Sequence, residues 1–517
     1  MAETITAPST RRGRQPGPGF AGAAAAGLAV GLTELFAGLV DGVPSAIASI
    51  GAVIVDRSPA PLVEVAISLF GTADKGALAI GTVLVVIVIG AVVGRLAAHR
   101  AWVGPAAFGA VATAGIAAGL DQPDVEPAAT IFFVALSAFA GVAVLRRLTS
   151  AVVPELPTDA LPDDASRRRF LNRVAGVGVA AAAAGVGGRW LLIRRSEEPT
   201  EAMAFPTPVT RAPPPGTGAD FGILGVDPIV VPQRDFYRID TALIVPRPNL
   251  ETWQLGVTGM VDRELQLTMD DLLAMDLHER YVTIACVSNP VGGRLVGNAK
   301  WTGVLLSEVL DMAGVRPGAS QVVGRSVDRW TAGFPTELVF DGREPLIAIG
   351  MNDEQLAPDH GFPARLIVPG LYGYVSATKW LQEIELTTWE IFDGYWIPRG
   401  WAKTGPIKTQ SRIDVPGLVE QISASPLVIA GVAWAPLKGI ERVEIQVDDG
   451  AWEEAELTTP LSDAAWVQWR LETQVPPGNH RARVRATDGT GVTQTEDIAP
   501  PAPDGATGWD GVGFTTV

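Results

Sequence analysis

Apolar residues are concentrated in the first part of this 517-residue chain, and their distribution limits what the chain can fold into. Before about residue 195 the sequence is dominated by Ala, Gly, Val, Leu and Ile, whereas charged residues, Trp and Pro return at ordinary density afterwards. Four runs are long enough to cross a hydrocarbon layer of about 30 Å as helices, namely 20–40, 76–93, 103–120 and 128–145. The sequence therefore predicts an α-helical transmembrane domain of about four spans over residues 1–150.

The positions of the arginines indicate the membrane topology. Arginine clusters precede the first run and follow the second and fourth runs, and such clusters favour the inner side of a membrane. The apolar segment 43–71 is interrupted by Asp56, Arg57 and two prolines. We interpret this segment as a broken or re-entrant piece, although two short spans also fit.

Residues 151–196 contain a different kind of membrane signal. The sequence Ser-Arg-Arg-Arg-Phe-Leu at 166–171 precedes a weakly hydrophobic stretch at 174–193, and this order resembles the export signal of the twin-arginine translocation pathway. The alternative is a cytoplasmic arginine cluster before a last transmembrane helix. Both interpretations place the chain after Ser196 on the extracytoplasmic side of a multi-pass protein of the cell membrane.

Histidine and cysteine content limits which redox groups the membrane domain can hold. A membrane b-type haem normally takes two axial histidines, but only His99 of the four histidines lies near the predicted helices. Covalent haem is excluded because the chain has one cysteine and no Cys-x-x-Cys-His motif. We therefore expect no haem, and we expect the helices to serve as an anchor or as a platform for a quinone or a partner.

The outer part of the chain divides into a linker and two units. Residues 197–220 are rich in Pro, Thr, Ala and Gly, which predicts a semi-rigid spacer. Residues 221–406 alternate short strands with helical pieces, whose predicted N-caps are Thr268 and Ser307. Residues 407–517 contain runs with the period-2 alternation of half-buried strands, at 427–434, 440–447 and 480–486. These runs predict a β-sandwich without the paired cysteines of secreted immunoglobulin domains.

The single cysteine, Cys286, ends a strand-like run at 281–286 just before a Gly-rich turn. A lone cysteine cannot form an intrachain disulfide, and a thiolate at the end of a strand is well placed to bind a soft metal or to act as a nucleophile. The alternative is a small buried hydrophobe, because free cysteine is often buried in protein cores. Position alone leaves both interpretations open.

A second informative stretch is the block at 359–370, Asp-His-Gly-Phe-Pro-Ala-Arg-Leu-Ile-Val-Pro-Gly. In this block His360 and Arg365 bracket a tight turn, and Lys379 follows soon afterwards. Three cationic or donor side chains at one end of a strand can form an anion cradle for a phosphate or for the phosphate-bearing tail of a pterin. Surface ion pairs would explain the same three residues.

Together these motifs resemble the sulfite oxidase family of molybdenum-cofactor enzymes over about residues 256–497. The resemblance rests on the strand that ends in Cys286 with Asn289 after it, on the block at 360–370, and on two short motifs, Trp-Thr-Gly-Val-Leu-Leu at 301–306 and Lys-Trp-Leu at 379–381. It implies an α+β molybdopterin-binding domain at 221–406. It also implies an immunoglobulin-like dimerisation domain at 407–517, and hence a possible homodimer.

The resemblance further implies a cofactor, a reaction and roles for individual residues. The cofactor would be molybdenum with one pterin dithiolene, and Cys286 would give the metal a protein thiolate. His360 and Arg365 would bind the pterin and its phosphate, Lys379 would add a phosphate contact, and Asn289 would shape the turn beside the metal. The reaction would be two-electron oxygen-atom transfer on a small sulfur or nitrogen oxo compound, with sulfite oxidation as the family default. An external cytochrome or quinone-linked carrier would exchange the electrons.

Some positions depart from the sulfite-oxidising pattern. Sulfite-oxidising members follow the cysteine turn with arginines that bind the oxyanion, whereas here only Arg294 is near, at an offset position. Trp330 stands where those members have a tyrosine, and tryptophan cannot transfer a proton. Arg329, together with Arg325 and Arg399, is a further candidate for an oxyanion contact. For each of these arginines the alternative is a solvent-facing salt bridge.

A cluster of aromatic residues favours another substrate. Trp389, Tyr395, Trp396 and Trp401 are candidates to rim the pocket and bind an apolar or peptide-borne group, although core packing explains them as well. This cluster, and the lack of paired arginines, favours the alternative that the enzyme reduces sulfoxides, including methionine sulfoxide. A non-catalytic envelope binding protein is the remaining alternative. The net charge of −16 disfavours nucleic acid and anionic lipid as partners and suits a cationic redox protein.

Overall fold

The computed structural model describes residues 17–58, 69, 74–122, 125–150, 164–197, 203–417, 421–422 and 426–517. Within the chain two compact units are distinguished, Met1–Glu198 and Pro199–Val517, and each is described by itself. The first unit is helical. Its helices are α1 (Gly17–Leu39), α2 (Ala46–Arg57), α3 (Asp74–Ala97), α4 (Val103–Leu120), α5 (Pro127–Ser150) and α6 (Asp164–Glu197).

The four predicted apolar runs and the stretch at 174–193 each coincide with a helix of this unit, and only the first run extends one residue past the end of its helix. Among the residues that the structure describes, five helical stretches are long and apolar enough to cross a membrane: Gly17–Leu39, Lys75–Ala97, Val103–Leu120, Pro127–Ser150 and Arg168–Arg195. The predicted broken segment at 43–71 includes α2, which ends at Arg57. Most of the rest of that segment, and residues 151–163, lie outside the described residues.

Helix α1 is the centre of the first unit, where it packs against α3, α5 and α6. Glycine permits the close approach, because a Cβ atom at Gly22 would collide with the backbone of Gly90 and Gly94 on α3. The carboxylate of Glu34 is buried and accepts hydrogen bonds from the Ser45 hydroxyl at 2.8 Å and the Ile47 N–H at 3.1 Å. This contact fixes the start of α2 against α1.

The second unit begins with two sheets that carry the predicted cofactor motifs. The first sheet has the order β2-β1-β10-β5-β6, and the second has the order β3-β4-β7-β8, with β9 also paired to β7. Strand β1 pairs with β10 in parallel, and the other pairs in these sheets are antiparallel. The strands are β1 (Gln254–Gly259), β2 (Leu265–Thr268), β3 (Leu277–Ala285), β4 (Val296–Leu305), β5 (Gln321–Ser326), β6 (Thr331–Pro335), β7 (Leu346–Met351), β8 (Glu354–Gln355), β9 (Arg365–Ile367) and β10 (Leu381–Thr387).

Three α-helices connect these strands: α7 (Met269–Leu273), α8 (Leu306–Ala313) and α9 (Gly373–Ser376). The predicted N-cap at Thr268 is confirmed, because its hydroxyl accepts from the Asp271 N–H while the Asp271 carboxylate accepts from the Thr268 N–H. The predicted N-cap at Ser307 is wrong. Strand β4 runs up to Leu305, which therefore becomes the N-cap of α8 and leaves Ser307 inside the first turn.

The end of the chain forms two further sheets with a common hydrophobic core. Their orders are β11-β13-β17-β16 and β12-β19-β18-β14-β15. Ile429 and Trp469 of one sheet and Val443, Val484 and Phe514 of the other belong to the same buried cluster, so the sheets form a sandwich. Its strands are β11 (Gln410–Val415), β12 (Gln421–Ile422), β13 (Leu427–Trp434), β14 (Ile440–Val447), β15 (Trp452–Glu454), β16 (Glu456–Leu457), β17 (Val467–Thr473), β18 (Gly478–Asp488) and β19 (Asp510–Thr516).

The sandwich and the cofactor-motif sheets share part of their core. Trp434 and Trp466 are fully buried in the cluster that also contains Ile284 and Trp301. The indole N–H of Trp466 donates to the Ile229 carbonyl at 2.9 Å. The second unit is therefore one continuous packed body, and the predicted boundary between 221–406 and 407–517 remains a prediction.

The segment predicted as a spacer packs against the second unit where the structure describes it. The Met203 N–H donates to the side chain of Gln355 at 2.8 Å, and the Val209 N–H donates to the Leu277 carbonyl at 2.8 Å. The Ala212 N–H donates to the Glu279 carboxylate at 3.0 Å. From residue 203 onward the predicted spacer is thus attached to the folded unit, because its polar backbone groups find partners there.

Candidate active site

Cys286 follows directly after β3 and lines a cavity between the loops of the two cofactor-motif sheets. Burial raises the pKa of its thiol, whereas the N–H and the hydroxyl of Ser288 donate to the sulfur and lower that pKa. Cys286 is 9% exposed. A sulfur held in this way is neutral until a metal or a base removes its proton.

The residues from Cys286 to Leu295 form the cysteine turn. The Cys286 N–H donates to the Leu295 carbonyl at 2.9 Å, and the Asn289 N–H donates to the Cys286 carbonyl at 3.1 Å. The Asn289 side chain accepts from the Leu295 N–H at 2.8 Å. The Asn289 side chain therefore links the two ends of the cysteine turn and is not among the residues that line the cavity.

One wall of the cavity carries two cationic side chains, Arg365 and Lys379, together with the imidazole of His360. We call these three residues the cationic wall. Arg365 is 5% exposed, its Nη1 donates to the His360 carbonyl at 3.1 Å, and its guanidinium lies 5.1 Å from the centre of the Trp301 ring. Its Nε has no hydrogen-bond partner among the described residues. Burial lowers the pKa of Arg365 to about 10. This cation is largely removed from water without a neutralising carboxylate.

His360 is a neutral imidazole in this wall. Burial lowers its pKa to about 4, and the nearby charges of Arg365 and Lys379 act in the same direction. Its Nε2 lies 2.7 Å from the Gln233 carbonyl oxygen, which can only accept, so Nε2 carries the proton. The lone pair of Nδ1 is then the acceptor of the ring.

Lys379 connects the cationic wall to a small ion network. Its Nζ lies 2.9 Å from the Asp240 carboxylate and 3.0 Å from the Asp359 carbonyl oxygen. Burial lowers the pKa of Lys379 to about 8, although Asp240 acts in the opposite direction. Asp240 also accepts from Arg238 at 2.9 Å, so the Asp240 carboxylate is shared by two cations, Lys379 and Arg238.

Residues that the sequence analysis did not assign to the site complete this side of the cavity. Tyr237 lines the cavity, and burial raises the pKa of its phenol, with Cys286 acting in the same direction and Arg365 opposing it. Asp328 also lines the cavity, and burial raises the pKa of its carboxyl group. Its Oδ1 accepts from the Trp330 N–H at 3.1 Å, which orders the turn after β5.

The remaining side of the cavity is an aromatic wall, formed by Trp330, Tyr374, Trp396 and Trp401. The Tyr374 and Trp401 ring centres are 5.8 Å apart, and those of Trp396 and Trp401 are 6.3 Å apart. Tyr374 was not predicted, because it lies on α9, away from the aromatic stretch of the sequence. Trp389 and Tyr395, which were predicted as rim residues, are not among the lining residues.

The comparisons with known proteins agree with this geometry. Residues 242–396 match the profile described as "Oxidoreductase molybdopterin binding domain". The chain is 34% identical over 157 residues to the uncharacterised oxidoreductase YuiH of Bacillus subtilis, a match that covers 30% of this chain and 76% of the relative. The chain belongs to the molybdopterin-binding oxidoreductase family that includes sulfite oxidase.

Other proteins that are similar to this chain match it over a smaller share of their own length. The mitochondrial sulfite oxidase of Mus musculus is 29% identical over 307 residues, which cover 50% of this chain and 56% of the relative. The chain thus spans about half the length of that curated relative. Among solved structures, the sulfane dehydrogenase SoxCD from Paracoccus pantotrophus aligns with a TM-score of 0.47 at 24% identity, covering 53% of this chain and 75% of that chain.

The residues of the cavity fit the cofactor that the family implies. The Nε of buried Arg365 has no hydrogen-bond partner among the described residues, and a pterin phosphate is an anionic group that would pair with it. Lys379, which shares the Asp240 carboxylate with Arg238, adds a second cation to the same cavity. The Cys286 thiol is the soft donor that molybdenum prefers. With an oxidoreductase of this family established, a non-catalytic binding protein is excluded.

The predicted oxyanion arginines do not enter the cavity. The Arg294 side chain is exposed, lies 3.1 Å from the Asp227 carboxylate and is not among the lining residues. Arg329 is exposed on the turn after β5, and Arg325 is paired with Glu385. Arg399 donates to the Tyr395 carbonyl at 2.6 Å. Among the described residues, Arg365 is the only arginine in the cavity lining.

Proposed function

We propose that the second unit binds a molybdenum–molybdopterin cofactor and catalyses two-electron oxygen-atom transfer on a small sulfur or nitrogen oxo compound. The observation that carries this proposal is the meeting of the buried Cys286 thiol with the cationic wall in one cavity. A buried guanidinium without a counterion is costly unless a ligand neutralises it. The family profile over 242–396 supports the same cofactor.

The side chains of the cavity have distinct tasks in this proposal. Cys286 would hold the metal as a thiolate, Arg365 and Lys379 would hold the phosphate of the pterin, and His360 would offer its Nδ1 lone pair to a hydrogen-bond donor of the cofactor. Asn289 keeps the cysteine turn closed by accepting from Leu295. When bound, the molybdenum centre would supply the two-electron oxygen-atom-transfer chemistry. The protein contributes the positions, the low dielectric and the shape of the site.

Sulfite oxidation is the default reaction of the family, and a neutral sulfoxide is the second candidate. The aromatic wall favours the sulfoxide, because indole and phenol rings bind apolar groups and carry no positive charge for a sulfite dianion. Methionine sulfoxide in envelope proteins is a substrate of the required chemistry.

Metal analysis tests the cofactor class. The full-length protein, purified in detergent from a host supplied with molybdate, is expected to contain about one molybdenum and one releasable pterin per chain. Protein from a host that cannot make the pterin is the control and should contain neither. A folded protein from the first host that lacks both metal and pterin would overturn the proposal.

A substrate panel then separates the two reactions. Sulfite is offered with an artificial electron acceptor, and methyl sulfoxides are offered with a reduced dye. Turnover of sulfoxides alone would discard sulfite oxidation, and turnover of sulfite alone would discard the second candidate.

The setting of the reaction is part of the proposal. Five apolar helical stretches support a multi-pass membrane protein with the second unit on the extracytoplasmic side. Electrons would pass to a cytochrome or a quinone-linked carrier, and the sandwich at 407–517 would be an immunoglobulin-like dimerisation domain.

The twin-arginine signal is tested by Arg167→Lys with Arg168→Lys. Protease access to the second unit in spheroplasts should be lost in this variant if the pathway exports it.

A further inference from the structure

The C-terminal sandwich contacts the cysteine turn directly. Arg412 on β11 donates from Nη1 to the Gly293 carbonyl at 3.1 Å. Asp510, at the start of β19, lies against Gly292, where even a Cβ atom would collide with its carboxylate. The same carboxylate accepts from the Ile413 N–H at 2.9 Å. Two strands of the sandwich therefore hold two adjacent residues of the cysteine turn.

Arg412 is a fixed support for this contact. Its side chain is 1% exposed, and its Nε donates to the Asp414 carboxylate at 2.7 Å. Its Nη2 donates to the Asp227 carboxylate, and the Asp227 N–H in turn donates to Asp414 at 3.1 Å. A guanidinium with carboxylates on two sides has little rotational freedom, so the third bond to Gly293 is held at a defined position.

The sandwich also braces the strand that leads to Cys286. The Thr283 N–H on β3 donates to the Ala464 carbonyl at 2.9 Å. The backbone N–H of Trp466 donates to the Thr283 hydroxyl at 2.7 Å. The loop before β17 therefore fixes β3 three residues before the sulfur. The sandwich contacts the backbone on both sides of Cys286, although no sandwich residue lines the cavity.

We infer that the sandwich positions the Cys286 sulfur, with Arg412 as the positioning residue. The consequence for the metal rests on the proposed role of Cys286 as its thiolate ligand. Without Arg412 the cysteine turn would lose the hydrogen bond that holds the Gly293 carbonyl, and the exposed Arg294 ion pairs with Asp227 and Asp414 would be its remaining side-chain links to residues outside the turn. The turn would then open locally, and the sulfur would become more accessible and less well placed. This role differs from dimerisation, because it operates within one chain.

Alkylation of Cys286 measures this positioning without any need for activity. Cys286 is the only cysteine of the chain, so incorporation of iodoacetamide into the cofactor-free full-length protein reports one site. Arg412→Gln is expected to raise the alkylation rate about tenfold, because the loss of a charge-assisted bond favours local opening of the turn. Arg412→Lys, which keeps the charge but cannot form the same set of bonds, should give an intermediate rate.

Two variants make the test specific. Arg485→Gln removes a sandwich arginine that lies 3.0 Å from Glu444 and does not contact the cysteine turn, so it should leave the alkylation rate unchanged. Gly292→Ala leaves Arg412 intact but forces Asp510 away and strains the left-handed backbone of the turn, so it should raise the alkylation rate as Arg412→Gln does. Each thermal midpoint is measured, and rates are compared only well below it. A wild-type alkylation rate in folded Arg412→Gln would overturn the inference, whatever the rate in Gly292→Ala.

The loaded enzyme provides an independent readout. The electron paramagnetic resonance signal of its Mo(V) state should shift in Arg412→Gln and return towards wild type in Arg412→Lys, whereas Arg485→Gln should not move it. A wild-type protein that binds no molybdenum would contradict the proposed function only, because the alkylation rates would still decide whether the sandwich positions the sulfur. If Arg412→Gln is alkylated faster but its Mo(V) signal is unchanged, the claim that Arg412 positions the sulfur as a metal ligand is overturned.

Discussion

The cationic wall and the aromatic wall belong to one cavity but differ in how their polar atoms are satisfied. In the cationic wall Arg365 is buried and its Nε lacks a partner within the part of the chain that the structure describes. In the aromatic wall the Tyr374 hydroxyl already donates to the Ala402 carbonyl at 2.7 Å. A buried polar atom without a partner raises the free energy until a ligand pairs with it, whereas an aromatic surface accepts any apolar group that fits. The first wall is therefore suited to one anionic group, and the second selects by shape and polarity.

Cys286→Ser has the largest expected effect, because it removes the metal ligand and leaves both walls in place. A serine hydroxyl is a hard, weakly acidic donor, so we expect turnover to fall by about a thousandfold or more. Activity is measured with the substrate that the wild type accepts, and molybdenum content is measured in the same sample. An active, metal-loaded serine variant would contradict the ligand role of Cys286.

Arg365→Gln separates the cationic wall from the fold. Because Arg365 is the proposed buried partner of the pterin phosphate, its replacement is expected to weaken cofactor binding by about a thousandfold. The thermal midpoint of the cofactor-free protein should not fall, because an unneutralised buried cation disappears. Arg325→Gln is the matched control, since Arg325 pairs with Glu385 outside the cavity lining. Equal pterin content in the two variants would contradict the anion-binding role of Arg365.

The neutral state of His360 predicts a pH dependence of stability. Its pKa is lowered from 6.5 to about 4 in the folded protein. Between these values the unfolded chain binds a proton that the folded protein does not. The free energy of unfolding of the cofactor-free protein should therefore fall as pH decreases through this window, by up to about 3 kcal/mol from this group. The charges packed around the ring, on Arg365, Lys379 and Arg238, all act in this direction.

The measurement compares thermal unfolding of the wild type and His360→Gln from pH 7 to pH 4. The difference between the two curves isolates the histidine from the carboxyl groups that titrate in the same range. Parallel curves would show that His360 is protonated as easily in the folded protein as in the unfolded chain.

Trp401→Ala has the smallest expected effect and tests the aromatic wall alone. Loss of one indole face should raise KM for a neutral sulfoxide about tenfold, with molybdenum content unchanged. Trp389→Ala is the control, because Trp389 is not among the lining residues. If Trp401→Ala lowers molybdenum content as Arg365→Gln does, the two walls do not have separate tasks.

Much of the fold was predictable where the signal is local. The strands β13 and β14 coincide with the predicted runs at 427–434 and 440–447, since alternation of apolar and polar residues depends on neighbours in sequence. Cys286 follows the end of a strand as predicted. The N-cap at Ser307 was wrong because strand pairing extends β4 to Leu305, and that pairing is a long-range effect.

The candidate site was predictable only in part. His360, Arg365 and Lys379 line the cavity with Cys286, and a compact sequence block indicated them. Arg294 is near Cys286 in sequence, but its side chain pairs with Asp227, which lies about 60 residues before Cys286 in the chain and carries no sequence signal for this contact. Tyr237 and Tyr374 were missed, because they reach the cavity from segments about 50 residues before and 90 residues after Cys286. The run of aromatic and charged residues at 235–238 was the available signal for Tyr237.

The shared core of the second unit has a consequence for its cooperativity. Trp434 and Trp466 come from the sandwich but are buried among residues of the cofactor-motif sheets. Neither part can unfold without exposing these indoles to water, so calorimetry should record one heat-absorption peak for the second unit rather than two. A shortened protein that ends before β11 would expose the apolar residues that these indoles cover, and a minimal catalytic fragment must therefore keep the whole sandwich.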